Sequence, residues 1–410
     1  MKKLLIVAMV CALFAPAFAV ENVKVTGDIQ TIGISFEDRG LTGGEFNFKG
    51  TTNRVLFGLE ADLVDDVQAK LTFAHRNVFG MDAETYPEPY VTGENLNTVW
   101  EKTYVAEAFV KISNIFDALE VKVGRQFYGD AKSAVLYFGP DYGYAIGNTY
   151  TSLDGATAKY NGENFALTAA YFSMNNYAED YSYPYDDEIY PIREYDVNFG
   201  GLDLEAKINE NISANAYIYD FKGMDNIKYG FWGAKAALEY EHFNLGAEYA
   251  RNYGVGNDKG WQVKADLALP LSIEDTSITP RVTYLKSEKN FVAYGNYRPG
   301  LMFGTLLGGG INNILSAITM GNEMQLANWE VLNIGLCMKF ANLEKWGFGL
   351  DFYTATINYN EFIGNSWEAK VVYNVNQYVA LNLTGAILTN AGHSWHHSPT
   401  AVQLGMNVKF

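Results

Sequence analysis

The sequence predicts an all-β protein, a transmembrane antiparallel β-barrel of about 18 strands with short periplasmic turns and long extracellular loops. Three observations carry that reading. Apolar and polar residues alternate with period two from Val23 to Phe410. The connections between strands run short and long in turn. An export leader opens the chain.

The leader comes first. Met1-Lys2-Lys3 precedes an apolar run from Leu4 to Phe14, then Pro16-Ala17-Phe18-Ala19. A charged start, a short apolar middle and a small-residue cleavage site describe a secretory signal over residues 1–19, leaving 20–410 as the barrel. Without Lys2 and Lys3, 28 basic residues face 47 acidic ones, a net charge of −19. So acidic a chain lacks the basic face that nucleic-acid phosphates require. Only Cys337 remains as a thiol, which leaves no internal disulfide to hold the fold. The apolar run of the leader is too short to span a membrane, and no later stretch offers 18 consecutive apolar residues, so no transmembrane helix is expected. Aromatic residues make up 15% of the chain, which suits a barrel girdled by tyrosine and tryptophan.

The alternation is clearest in three segments. Trp232, Ala234, Ala236, Leu238 and Tyr240 share one face, with Gly233, Lys235, Ala237 and Glu239 on the other. Val263, Ala265, Leu267 and Leu269 alternate with Lys264, Asp266 and Ala268. Trp367, Ala369, Val371 and Tyr373 alternate with Glu368, Lys370 and Asn374. One face suits hydrocarbon and the other water. Tight turns fall at Asp65-Asp66, Asn161–Glu163, Asn209–Asn211, Glu241-His242, Ser272–Asp275, Ala341–Lys345 and Val375–Gln377. Long connections fall at 77–100, 129–150, 176–194, 287–327 and 390–399. All turns on one side of a membrane and all loops on the other produce this sorting, and a soluble sandwich has no cause for it. Tyr160, Tyr240, Phe243, Trp261, Tyr284, Trp346, Tyr359 and Tyr378 lie at strand ends, where amphipathic rings favour the headgroup zone.

The segment Gln403–Phe410 carries glycine, strict alternation and a terminal aromatic. It resembles the signal by which the barrel-assembly machinery of an outer membrane recognises its substrates. That machinery, outer-membrane lipid and lipopolysaccharide are the expected partners. Strand 18 closes on strand 1, so Val23–Phe36 is expected in the wall.

Inward positions form a mixed surface of basic and acidic groups. Arg54, Arg76, Lys111, Lys122, Arg125 and Arg281 are the candidate cationic lining, opposed by Glu107 and Glu120. The negative charge gathers instead in loops 77–100 and 176–194. The apolar loop 287–327 would be a large exposed patch in water, so it is expected to fold into the barrel mouth. His393, His396 and His397 form a His-x-x-His-His cluster without a neighbouring carboxylate or thiol, and no metal or other cofactor is assigned to it. No nucleophile and base stand out together, so no enzyme is expected.

Val121-Lys122-Val123-Gly124-Arg125-Gln126, then Gly129-Asp130 and Asp154-Gly155-Ala156, resemble motifs of the alginate-export family of outer-membrane barrels. That resemblance implies an 18-stranded channel passing an acidic polysaccharide, with Arg125 as a lumen or rim cation. Alternation places Arg125 with Val121 and Val123 on the lipid face. A bulge at Gly124 or snorkelling to the interface would reconcile the two. The expected function is passive diffusion of small hydrophilic solutes or an anionic polysaccharide, with a plugged, ligand-displaying barrel as the alternative. Nothing specifies the oligomeric state, and homo-oligomerisation stays open.

Overall fold

The protein is described from a computed structural model. It covers residues 21–38, 46–79, 102–140, 152–173, 198–222, 228–254, 260–288, 291, 300–301, 330–357, 361–389 and 398–410. Alternating sequence becomes extended strand almost throughout. The first five strands are β1 (Glu21–Asp38), β2 (Phe46–Val64), β3 (Val67–Phe79), β4 (Lys102–Ile115) and β5 (Leu119–Gln126). Two short strands, β6 (Tyr128–Gly129) and β7 (Tyr137–Phe138), pair only with each other. The wall resumes with β8 (Leu153–Asn161), β9 (Phe165–Ser173), β10 (Asn198–Asn209), β11 (Ile212–Lys222), β12 (Lys228–Tyr240) and β13 (Phe243–Tyr253). It continues through β14 (Trp261–Ala268), β15 (Leu271–Ile273), β16 (Thr276–Ser287), β17 (Glu330–Phe340) and β18 (Trp346–Ile357). Last come β19 (Glu361–Asn374), β20 (Val379–Thr389) and β21 (Thr400–Lys409).

Every wall strand pairs antiparallel with its sequence neighbour, and β1 pairs with β21 to close the ring. β14 and β15 occupy one position. Both pair with β16, and the interruption falls at Leu269-Pro270, where proline has no N–H to give the ladder. The described residues therefore make a closed antiparallel barrel of eighteen wall positions. The expected tight turns join neighbouring wall strands, and all fall at one end.

Burial follows the pleat. Along β21, Val402, Leu404 and Met406 are exposed while Ala401, Gln403 and Gly405 are buried. Exposed apolar side chains on this outer face include Leu245, Ile334, Leu350 and Trp367. In water they would be a liability; against lipid they are the solvent match. The turn end carries an aromatic belt, with Tyr240 stacked on Phe243 at 4.9 Å and Trp346 against Tyr373 at 4.6 Å.

The seam is held by more than its ladder. Gly27 N–H donates to Phe410 O at 2.8 Å, and Phe410 N–H returns to Gly27 O at 3.0 Å. The Phe410 ring lies across Gly27 so closely that any Cβ there would collide with it. Gly27→Val should therefore destabilise the closed barrel by about 1–3 kcal/mol, an overpacking cost. Denaturant unfolding of the refolded chain, beside Gly33→Val where the nearest atom leaves room, measures it.

Candidate functional site

The interior is built from the inward half of each strand and from a segment that folds back into it. After β5 the chain does not run out into solvent. Residues Asp130–Pro140 turn against the inner wall, linked by the β6–β7 pair. Val135, Leu136 and Phe138 are buried there against Phe172, Phe199, Tyr217, Tyr219, Phe221 and Phe231, which line β9 to β12. The rings form a continuous stack: Phe172 on Phe199 at 5.8 Å, Phe199 on Phe221 at 4.7 Å, and Tyr128 edge-on to Tyr219 at 6.3 Å. Glycines let the tyrosines lie flat. A Cβ on Gly201 would strike the Tyr219 ring, and one on Gly233 the Tyr217 hydroxyl.

One carboxylate fastens the segment. Glu248 on β13 is 7% exposed and accepts from Ser133 Oγ at 2.7 Å, Ala134 N–H at 3.0 Å and Tyr217 O–H at 3.2 Å. Lys235 stands 3.6 Å from Glu248 and 3.3 Å from Asp130, so its ammonium ties wall and segment together. Lys264 adds a bond to Lys132 O at 3.2 Å. Burial alone would raise the Asp130 carboxyl. The Lys132 N–H at 2.8 Å and the Lys235 ammonium outweigh it and hold the group below the ordinary aspartate value.

A second segment reaches inward from the connection after β16. Phe291 is fully buried in the same aromatic cluster. Leu301 N–H donates to Glu368 Oε2 on β19 at 2.8 Å. Gly300 beside it has φ +69° and lies where any Cβ would collide with that carboxylate, so glycine is required on both counts. The inward folding expected of 287–327 is described at Phe291 and at Gly300-Leu301, and 130–140, where it was not expected, folds inward as well. Residues 302–329, including the helical turn expected near 312–319, lie outside the described residues, as do the acidic stretches of the loops and His393, His396 and His397.

The ionic face lies on β1 to β5. Arg54 is completely buried, with its guanidinium 3.3 Å from Asp28. Lys70 pairs with Glu107 at 2.8 Å, and Thr72 Oγ1 donates to the same carboxylate. Lys122 sits 4.8 Å above the Phe109 ring, and Lys111 is 3.9 Å from Glu120. Arg76 pairs through its backbone with Arg54; its side chain lies outside the described residues. Arg281 forms a fork with Asp351, Nε to Oδ1 at 3.2 Å and Nη2 to Oδ2 at 2.6 Å, which Asn333 also joins. Gly335 makes that fork possible, because it separates the two partners and a Cβ on it would strike both.

Arg125 is placed elsewhere. Pairing runs through Gly124 with no register shift, so no bulge turns the side chain inward. Arg125 shares the outer face with exposed Val123 and forms a fork with Asp154 opposite it, at 2.8 and 2.6 Å. Its remaining bond goes to Val105 O at the bulge in β4. Gly124 faces Gly155 in the same ladder, and a Cβ on either would hit a neighbouring carbonyl. The Gly-Arg-Gln and Asp-Gly motifs are thus two sides of one strand pairing: close glycines beside a cross-strand ion pair. That structural task accounts for the residues without a polysaccharide.

Sequence reasoning missed Ser133 and the apolar run 135–138; alternation places Glu248 on the inner face but does not show that it anchors this segment. The signal was present, since Val135-Leu136-Tyr137-Phe138 in a connection is as unsuited to water as the 287–327 loop.

A closed ring with a lipid-suited outer face, an aromatic belt and an inward-folded segment defines a barrel of the outer-membrane type. No family model and no curated protein matches the chain. Among solved structures it is similar to Pseudomonas aeruginosa OccK1 (OpdK), with 12% identity and a TM-score of 0.61 over 96% of this chain and 99% of that one. OpdO of the same organism gives 12% and 0.59 over 95% and 98%. OccK2 (OpdF), solved in complex with glucuronate, gives 11% and 0.58 over 96% and 99%. At such identity the likeness is one of fold, an outer-membrane porin barrel. It supports that part of the expected resemblance and not the alginate-export family.

Glu248→Ala leaves the Ser133 hydroxyl and the Ala134 N–H without this acceptor, while Lys235 keeps Asp130. Each unsatisfied group costs about 1–3 kcal/mol, enough to release the segment, and single-channel recordings should show larger, noisier current. The Asp130–Lys235 tie rests on a carboxyl depressed on folding. It is therefore complete above about pH 4, the ordinary aspartate value, and lost as the pH falls through the lower folded value. Noise should rise in that acid window, and Asp130→Asn should show it already near neutral pH.

Proposed function

We propose that the chain is a passive outer-membrane channel for small hydrophilic solutes. The observation that carries this reading is the segment 130–140, fastened to the inner wall by a buried glutamate. A full plug would cover the charged wall as well, whereas among the described residues the strap's buried side chains lie against β9 to β12 and Lys70 and Lys111 keep about a quarter of their side-chain surface exposed. In a channel such a strap sets the size limit. The mixed wall of β1 to β5 then supplies partners in place of water, with Lys70, Lys111 and Lys122 for anionic groups and Glu107 and Glu120 for cationic ones. Solute moves down its own gradient, and no cofactor or energy source enters.

Small solutes are favoured over a polymer because the strap and the residues around Phe291 and Leu301 occupy interior volume a polysaccharide would need. The comparison barrel solved with glucuronate holds a single sugar acid, which supports the same size class. The turn end faces the periplasm in this reading, and the long connections face outward.

The test is reconstitution of the full chain in planar bilayers, with liposome swelling against sugars of increasing size. Discrete current steps, swelling with mono- and disaccharides, and no block by added polyuronate are expected. Lys111→Gln with Lys122→Gln should shift the reversal potential towards cation preference. A correctly folded barrel that stays electrically silent would overturn the channel reading and leave the display barrel in its place.

A further inference from the structure

The outer face near the loop end carries a cation that the channel does not use. Along β13, Leu245, Ala247, Tyr249 and Arg251 point outward, while Glu248, Ala250 and Asn252 are buried inside. Arg251 is therefore on the lipid side of the wall, two residues from the end of its strand. Its cross-strand partners on both sides are tryptophans: Trp232 on β12 and Trp261 on β14. Trp232 is 44% exposed and packs 5.7 Å from Tyr249. Flanking tryptophans on adjacent strands place the guanidinium at headgroup height, since indole rings settle there.

Two other cations on the outer face near this end have carboxylate partners. Arg125 is paired with Asp154 at 2.6 Å. Lys286 is paired with Glu330 at 3.0 Å, and Tyr284 O–H joins the same carboxylate. Arg251 has no ion pair among the described residues. Of the carboxylates on that face, Asp220 stands on β11 beyond β12, and Glu288 lies across β14 with Trp261 between. Lys222, at the end of β11, adds another outward cation to the patch.

A planar guanidinium at the hydrocarbon edge, with no carboxylate partner among the described residues, is suited to an anion from the surroundings. At that height the anions are lipid headgroups, and a phosphate accepts the guanidinium fork in two parallel bonds. We propose that Arg251, framed by Trp232 and Trp261, is a docking site for the phosphorylated headgroup of an outer-leaflet glycolipid. The tryptophans cover the sugar and upper acyl region, and Arg251 takes the phosphate. Lys286 lies two strands away and spends one of its three donors on Glu330, so it can meet a second phosphate. This rests on the outer-membrane orientation given above.

The test is native mass spectrometry of the full-length barrel in detergent, titrated with diphosphoryl lipid A and separately with zwitterionic phosphatidylethanolamine. Wild type should retain lipid A in preference to phosphatidylethanolamine, and Arg251→Gln should lose about tenfold of that retention, as a lost charge-assisted pair predicts. Arg125→Gln, whose cation is already paired, should retain lipid A as wild type does. Equal retention by wild type and Arg251→Gln would overturn the site. An equal loss in both variants would overturn it too, as unspecific charge attraction. Bilayer conductance of Arg251→Gln reports the channel reading separately and should equal wild type, so one idea can fail without the other.

Discussion

In hydrocarbon no water is available to a backbone N–H or C=O, and each unpaired group is costly enough to forbid an open strand edge. This chain meets that constraint by pairing β1 with β21, and much of the rest is arranged around the closed ladder. A closed ring fixes the pleat, and the pleat assigns every second side chain to lipid. What remains for the interior is half of each strand. Pro270 costs the ladder a donor, and the chain accommodates it by interrupting one strand while β16 stays paired on both sides of the gap.

The interior divides by chemistry. On β9 to β12 aromatic rings and the segment 130–140 make a dry core of the usual soluble kind, turned inside a membrane protein. On β1 to β5, and at Arg281–Asp351, paired charges cover the wall. Two buried glutamates, Glu248 and Glu368, serve the folded-in segments instead of a solute, each accepting backbone N–H bonds from the connection it holds. A buried carboxylate is stable only when fully hydrogen-bonded, and these segments supply the donors. Wall and strap therefore depend on each other.

The barrel was legible in the sequence because alternation and connection length are local properties. Val402, Leu404 and Met406 point out and Gln403 and Gly405 point in, as the pattern alone requires. Arg54, Glu107 and Lys122 fall on the inner face for the same reason. Their partners were not legible. Arg281 meets Asp351 across a third strand, and Ser133 meets Glu248 across 115 residues, so strand register brings the first pair together and the inward fold of the strap the second. Arg125 shows a different limit. Alternation alone placed it on the outer face, and the motif resemblance pulled it inward; the strand pairing sides with alternation, because Asp154 opposite gives the cation its counter-charge.

The one-sided aromatic packing has an electrical consequence. Rings and strap replace water over part of the cross-section, which lowers the permittivity there and leaves fewer solvent dipoles to screen the charged wall. Field lines from Lys70, Lys111, Lys122, Glu107 and Glu120 are then confined to the aqueous remainder. In the channel proposed above, a charge on β3 to β5 would act on a passing ion more strongly than in an evenly hydrated tube of the same diameter. Few ionisable groups would then suffice to tune permeation, because the hydrocarbon the protein carries inside acts as an insulator.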